Sequence, residues 1–440
     1  MPQNVYSFQA AQTRLVREAA YGVTPVSPTF VRLNGFGVTA SPTIETDMFA
    51  PPGALVPTIP LINDDFTEGS MEGRVDYNGL AFVLAGLFGN PTINDLGGGA
   101  YEWLWSWDGR RPLRPVSYTL HYGFPESADV VTGWIFNTLE ISGGRADGFD
   151  VSGDGFGKAL SAGQTLGGIT NEVQQIAITG TPTGGDFTIT WNGETTDDIP
   201  YNANAAAVLA ALEALDSIEP GDVTVGGGAL PGTPITVTFK GVYSGENVAA
   251  MTTTDSLTGG TAPASAVTTT TPGADNAVDI PAVPAGAVQG NVYLDTSWAG
   301  LGGTQLLHAY EMGINIGERL ERVRPINKSK SSDGVIDMSE QEHMITLMLG
   351  RNSVADAQLA KLRAGTRSFV RCEWEGDIIS GSDAYLFQTD ACIIYQEAGE
   401  PDDVDSVHAR EYSGRIAIDP TSKKAIACKL VNSLPSLSGA

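Results

Sequence analysis

The stretch Glu342–Gly376, EHMITLMLGRNSVADAQLAKLRAGTRSFVRCEWEG, reads as strand, short helix and strand, with every boundary marked. Met344 to Leu349 is apolar on both alternating faces, which predicts a strand covered on both sides or packed against a neighbouring subunit. A helix follows. Ser353 is placed to cap it, with Asp356 three residues on, and Ala355, Leu359 and Leu362 form its buried stripe. Gly365 stands where a left-handed residue closes a helix. The next strand alternates: Ser368, Val370, Cys372 and Trp374 face one way, and Arg367, Phe369, Arg371, Glu373 and Glu375 mostly the other.

Working outward, the first half of the chain holds the same order of parts. SMEGRVDYNGLAFVLAGLFG (70–89) matches the strand and helix, and PVSYTLHYGF (115–124) matches the second strand. A constant offset of 277 lays Tyr21 on Trp298, Phe30 on Leu307, Leu33 on Tyr310 and Val38 on Asn315, and Gly89 falls near Gly365 after a one-residue slip. GWIFNTLEISGG resembles YLFQTDACIIYQEAG, and FDVSGDGFGKAL resembles DSVHAREYSGRIA. The pattern predicts two tandem modules, 21–165 and 276–420, between arms at 1–20 and 421–440. Residues 1–20 carry no alternation strong enough for a core strand, so they read as an arm that orders against something else.

Between the modules, residues 166–275 differ in character. They open with Gly167-Gly168 and close with the linker-like run TGGTAPASAVTTTTPGAD. Inside, Phe187, Ile189 and Trp191 alternate toward an Asn192-Gly193 turn. An Ala-rich helix follows, capped by Asn202 or Asn204, with Val208, Ala211, Leu212 and Leu215 on one stripe; Val223 and Val225, then Ile235, Val237 and Phe239, make two more strands. This is a small inserted α+β domain, expected to project outward and to be dispensable for assembly. The fold class is thus mainly β (α+β), which 53 glycines and many short alternating runs support.

Two hairpin loops sit in equivalent places. DMFAPPGALVP within 46–60 is Pro-rich and apolar, whereas GERLERVRPINKSKSSDG (317–334) is basic at its tip. They read as docking elements or as ordinary surface loops. In YEWLWSWDGRRPLRP (101–115), Tyr101, Trp103, Trp105 and Trp107 share one face of a hairpin whose turn is assigned to Asp108-Gly109; that face is either buried over the first sheet or an aromatic contact with a neighbour.

The chain is long enough for two or three domains with full cores. Its 51 acidic and 25 basic residues give a net charge of −26, which argues against a protein that clamps nucleic-acid phosphates. Cys372, Cys392 and Cys428 fit no zinc spacing and no closed disulfide framework, and read as buried small hydrophobes. The N-terminus shows no apolar signal region, and no run has the length of a membrane span.

Catalytic motifs are not found. GDGFGK (153–158) lacks the first glycine of a phosphate loop, where Ser152 stands, and Ala159 follows the lysine in place of Ser or Thr. Asp147, Asp150 and Asp154 do not have the spacing of a calcium loop. His121, His308, His343 and His408 are scattered, and no pair of glutamates stands out as in a glycosidase. No enzyme activity, cofactor or metal is expected.

The N-terminal arm, the strand with its long hairpin loop, and DFTEGSMEGRVDYNGLAFVLAGLFG running into a helix resemble the tail tube (major tail) proteins of long-tailed, siphovirus-type bacteriophages. NEVQQIAITGTPTGGDFTITWNGETTDDIPYNANAAAVLAALEAL (171–215) separately resembles an accessory domain of virion proteins from phages of actinobacteria. The first resemblance implies rings of β-sandwich modules stacked into a tube through which DNA passes, inside a virion assembled in the host cytoplasm. It implies tape-measure, terminator and tail-tip proteins as partners. Single-module members form hexamers, so a duplicated chain implies three copies per ring, a pseudo-hexamer. A lumen that conducts DNA without holding it is expected to be acidic. The expected lumen residues are Glu45, Asp47, Glu68, Glu72, Glu318, Glu321, Asp337 and Glu340, and the expected ring-stacking residues are Phe49, Pro51, Leu55, Arg322, Arg324, Lys328 and Lys330. The alternatives are another phage structural protein, such as a capsid decoration or minor tail protein, and a secreted adhesive β protein.

Overall fold

The computed structural model describes residues 11–439 apart from 54, 111, 145–147, 287, 326–328, 339–340 and 405. Residues 1–10 of the expected arm, Asp147, Lys328 and Glu340 lie outside the described residues. The protein is mainly β and divides into two compact units. No helix among the described residues is long and apolar enough to cross a membrane.

The larger unit begins with β1 (Gln12–Arg17), β2 (Val31–Leu33), β3 (Phe36–Phe49) and β4 (Ile59–Arg74). Then come α1 (Leu80–Phe88), β5 (Thr92–Gly97), β6 (Ala100–Trp107), β7 (Tyr118–Phe124), β8 (Ser127–Phe136), β9 (Leu139–Gly144), β10 (Gly148–Gly157) and β11 (Ser161–Gln164), of which the adjoining ends of β7 and β8 and most of β11 belong to the smaller unit. β1 corrects the expectation of a strandless arm. Thr13, Arg14, Leu15 and Val16 are all buried and β1 pairs with β2, so a strand covered on both faces left no alternation to read. Stretch 46–60 is also more regular than a loop, because β3 and β4 stay paired out to Phe49 and Ile59.

The smaller unit carries β12 (Ile169–Thr170), β13 (Val173–Thr179), β14 (Gly184–Trp191), β15 (Glu194–Thr195) and β16 (Ile199–Pro200). It continues with α2 (Ala205–Leu212), β17 (Val223–Gly227), β18 (Ile235–Phe239), β19 (Thr252–Thr258), β20 (Ala264–Thr271) and β21 (Ala274–Asp275). It has its own core, built on Phe187, Ile189, Val208, Leu212, Ile235, Val237 and Phe239. Asn204 caps α2, accepting from the Ala207 amide at 3.0 Å. Asn192 and Gly193 both take positive φ, which lets the two-residue turn close β14 onto β15.

The larger unit resumes with β22 (Val278–Ile280), β23 (Gly290–Asp295), β24 (Ala309–Ile316), β25 (Leu320–Val323), β26 (Gly334–Asp337) and β27 (His343–Gly350). It ends with α3 (Ser353–Ala364), β28 (Arg367–Ser380), β29 (Asp383–Val404), β30 (Val407–Ile416) and β31 (Ile426–Asn432). The opening stretch folds as strand, helix and strand, with one correction. Asn352, not Ser353, caps α3, accepting from the Val354 and Ala355 amides at 2.9 Å, while Ser353 already belongs to the helix. Gly365 is left-handed.

Both halves build four strands in the same order. β3, β4, β10 and β9 pair in sequence, and so do β24, β27, β30 and β29. β9 then pairs antiparallel with β24, so the eight strands form one continuous run. The burial pattern corrects the offset between the halves. Phe36 and Val38 are buried with Gly37 exposed between them, and Ile314 and Ile316 are buried around exposed Asn315, so the offset is even, and 278 lays Phe36 on Ile314 and Val38 on Ile316. An offset of 277 sets buried side chains on exposed ones, because a one-residue slip turns a strand over.

The halves also interlock. β22 pairs parallel with β2, and β31 lies between β29 and β6. The C-terminal stretch, expected as an arm, therefore supplies a strand with neighbours on both edges. The hairpin of β5 and β6 turns through Gly97, Gly98 and Gly99, all at positive φ, and Asp108-Gly109 lies after β6. Trp103 and Trp105 are buried, and their indole N–H groups donate to Leu434 O and Gly89 O.

His343, at the start of β27, is 4 % exposed. Burial, then the Arg319 and Arg415 cations, push its imidazole pKa down to about 4. The unfolded chain takes up this proton near pH 6.5 and the folded one resists it to about 4, so this stability is full above pH 6.5 and is lost as pH falls toward 4. We expect a loss of about 3 kcal/mol across that window, read by denaturant melts, and a flatter pH profile in His343→Gln. Identical profiles for the two proteins would exclude His343 as the source.

Candidate functional site: the polar face of the continuous sheet

One face of the eight-strand run packs on the core through Val38, Met71, Val151, Ile141, Ile314, Leu347 and Tyr395. The opposite face is polar. One row across it holds Glu72, Ser152, Glu140, Asn315, Met344 and Arg415, each paired with the next. The adjacent row holds Arg74, Asp150, Ser142, Gly313, Thr346 and Ser413. Asp154 stands opposite Ser70, and Glu311 lies between Gly144 and Met348. With Glu68, Glu397 and Glu411 also on this face, carboxylates among the described residues outnumber the guanidiniums of Arg74 and Arg415 there. Arg74 pairs with Asp150 at 3.0 Å and Arg415 with Glu342 at 3.1 Å, both at the surface. Such a face is electronegative and contributes little to stability through its ion pairs.

The structure brings Glu68 and Glu72 onto this face and puts Glu45 and Asp47 further out on β3. Glu318, before β25, and Glu321, within it, are exposed. Asp337 is engaged differently, in an ion pair at 2.8 Å with Arg319, whose side chain is fully buried. Glu140, Asp150, Asp154, Glu311 and Glu411 lie on this face and are not among the expected lumen residues. Strict alternation with buried Val151 and Ile141 was the signal that places the β9 and β10 acids on one face.

At one end of the run, the hairpin of β25 and β26 folds over the first half. Leu320 packs with Ile135 and Phe156. Asn137 Oδ1 accepts from the Leu320 amide at 2.8 Å and the Arg319 amide at 3.2 Å. The Arg319 guanidinium donates to Leu87 O at the end of α1 and lies 5.8 Å from the Trp107 ring centre. Arg322 lies 3.3 Å over the Phe66 ring and bonds buried Asp64 at 2.7 Å, and Arg324 reaches the same carboxylate at 3.1 Å. Two expected stacking residues, Arg322 and Arg324, thus have partners in their own chain. Lys330 is exposed, and its carbonyl accepts from the Asp65 amide. Phe49 and Leu55 are exposed and Pro51 half-buried at the tip of the other hairpin.

No family model matches the chain. Over 97 residues the chain is 42 % identical to a protein described as a tail sheath protein of Mycobacterium phage Bxz1. That match spans 22 % of this chain and 16 % of the relative. Over that stretch the chain is similar to a phage tail protein.

Removing Asp337 leaves the buried Arg319 charge without its carboxylate. We expect Asp337→Ala to cost about 3–5 kcal/mol in denaturant melts, and Arg319→Met to cost less because no buried charge is left behind. The reverse order would mean that the guanidinium acts through its packing on Trp107 and Phe88.

Proposed function

We propose that the chain is a structural subunit of a bacteriophage tail whose copies close into rings and stack into a tube that conducts DNA. The observation that carries this reading is the continuous sheet with one apolar and one acidic face. Presented to a lumen, a face on which carboxylates outnumber guanidiniums repels phosphate and keeps non-specific affinity low. Two four-strand sets per chain support three chains per ring in place of six single modules. The partner proteins are those of a tail: tape measure, terminator and tail tip. Glu45, Asp47, Glu318 and Glu321 belong to this reading as mouth or lumen residues, and Asp337 does not, because it balances Arg319.

The relative's name favours a second reading, a subunit of a sheath surrounding a tube. A 97-residue match fits inside residues 162–277, and we assign it to the inserted unit. On that assignment the two tail proteins share an appended domain, and the sheet-bearing unit is left to the tube.

Negative-stain microscopy of the purified chain is expected to show hollow tubes with a three-fold decorated cross-section. Replacing Glu72, Glu140 and Asp154 by Lys is expected to create retention of duplex DNA, with log affinity falling against log salt at a slope of about −3. Discrete particles without tubes, or wild-type DNA binding equal to that of the variant, would overturn the proposal.

A further inference from the structure

The two halves present equivalent hairpins, and only one has a seat. The β25–β26 hairpin lies on the first half, as described above. β25–β26 covers the β3–β4 hairpin at Asp64 and Phe66 near its base, but its apolar residues have no such cover: Ile44, Met48, Phe49, Leu55, Val56, Ile59, Leu61 and Ile62 are each 45 % exposed or more. The surfaces that these hairpins would sit on differ in the same sense. α1 is buried along its whole length, with Arg319 at its C-terminal end, while α3 buries only Ala355 and Gln358.

Register gives the pairing. Carried along β3 into the hairpin, the offset of 278 lays Ile44 on Arg322 of β25. Pro42 pairs with Thr67 as Leu320 pairs with Asp337, which makes Phe66 correspond to Ile336. In the chain, Arg322 covers Phe66, which is 4 % exposed. The corresponding Ile44 and Ile336 are 52 % and 54 % exposed. A charged contact within the chain is thus matched by two unpartnered apolar residues. The sheet edges agree: β3 pairs as a strand with β4, and β29 beyond Ile394 pairs with β30, among the described residues.

We propose that the β3–β4 hairpin of one copy seats on the second half of the next copy, Ile44 over Ile336, repeating between chains the contact that β25–β26 makes within one. The occupant is a second copy because the seat is already built once in this chain, from equivalent strands in equivalent register. The contact is head-to-tail, the kind that closes a ring or runs on as a filament. Buried apolar surface supplies its driving force. It rests on the self-assembly reading above only in taking another copy as the partner.

Sedimentation velocity on purified full-length protein tests it. Ile44→Asp and Ile336→Lys are each expected to reduce the assembled fraction at least tenfold, with the melting temperature of the monomer unchanged because both residues are exposed. The double variant, or a mixture of the two single variants, is expected to regain assembly, now weakened by salt. Single variants that assemble like wild type overturn the seat, as does a double variant that fails although its monomer melts normally. Assembly broken only by Phe49→Asp or Leu55→Asp overturns it as well, by assigning the contact to the hairpin tip. Rings restored without tubes uphold the seat while overturning the tube; tubes in every variant do the opposite.

Discussion

Pairing of β9 with β24 is the constraint on which the larger unit depends. Ile141 faces Ile314 and Leu139 faces Ile316, with all four side chains on the core side of the sheet. Without this ladder, each half would expose a strand edge with unpaired N–H and C=O groups, and an open edge is a template for mispairing. With it, two four-strand sets share one core. The glycines at the end of β9 belong to the same constraint. A Cβ on Gly144 would come within 2.5 Å of Tyr310 O, and Gly143 takes a φ of 149°. The strand can run this close to its neighbour only because these positions carry no side chain.

Arg319 fixes what the ladder leaves open. A strand ladder sets register but not the direction in which the chain leaves the sheet. The guanidinium is fully buried, donates to Leu87 O and Asp337, and its pKa is held below the usual value chiefly by desolvation. Burying a cation costs several kcal/mol unless geometry is good, so this arrangement adds less net stability than selectivity: a hairpin leaving at another angle would strand the charge. Asn137 acts in the same direction, accepting two consecutive amides from the turning chain.

Much of this was legible in sequence where one physical signal acted alone. The C-terminal end of α3 at Gly365, the Asn192-Gly193 turn and the strands of the inserted unit follow from capping, φ preference and alternation. β1 was not legible, because alternation vanishes in a strand covered on both faces; β31 also sits where an arm was expected, although its burial alternates over 426–430. Repetition was visible, but its offset was misjudged by one residue, since low identity does not fix parity and burial does. The acidic face was half legible. Glu68 and Glu72 were found on β4, whereas Glu140, Asp150 and Asp154 become neighbours only through pairings between distant strands. Arg322 and Arg324 read as free basic residues because their acceptor, Asp64, is 258 residues away from Arg322 in sequence.

Tandem halves also explain how one hairpin design can carry two chemistries. A junction within a chain forms at the high effective concentration of tethered segments, so it needs little driving force and can use charged groups, which specify register well. A junction between chains must offset lost translational and rotational freedom, and desolvating charges adds to that cost. Apolar residues meet that demand better. The internal hairpin sets Arg322 and Arg324 against Asp64 and its neighbour Arg319 against Leu87 O, while its counterpart carries Ile44, Met48, Phe49 and Leu61. Identical modules could not separate these tasks. Once the halves are fused, each hairpin has a fixed place in the chain, and selection on the tethered contact no longer constrains the other.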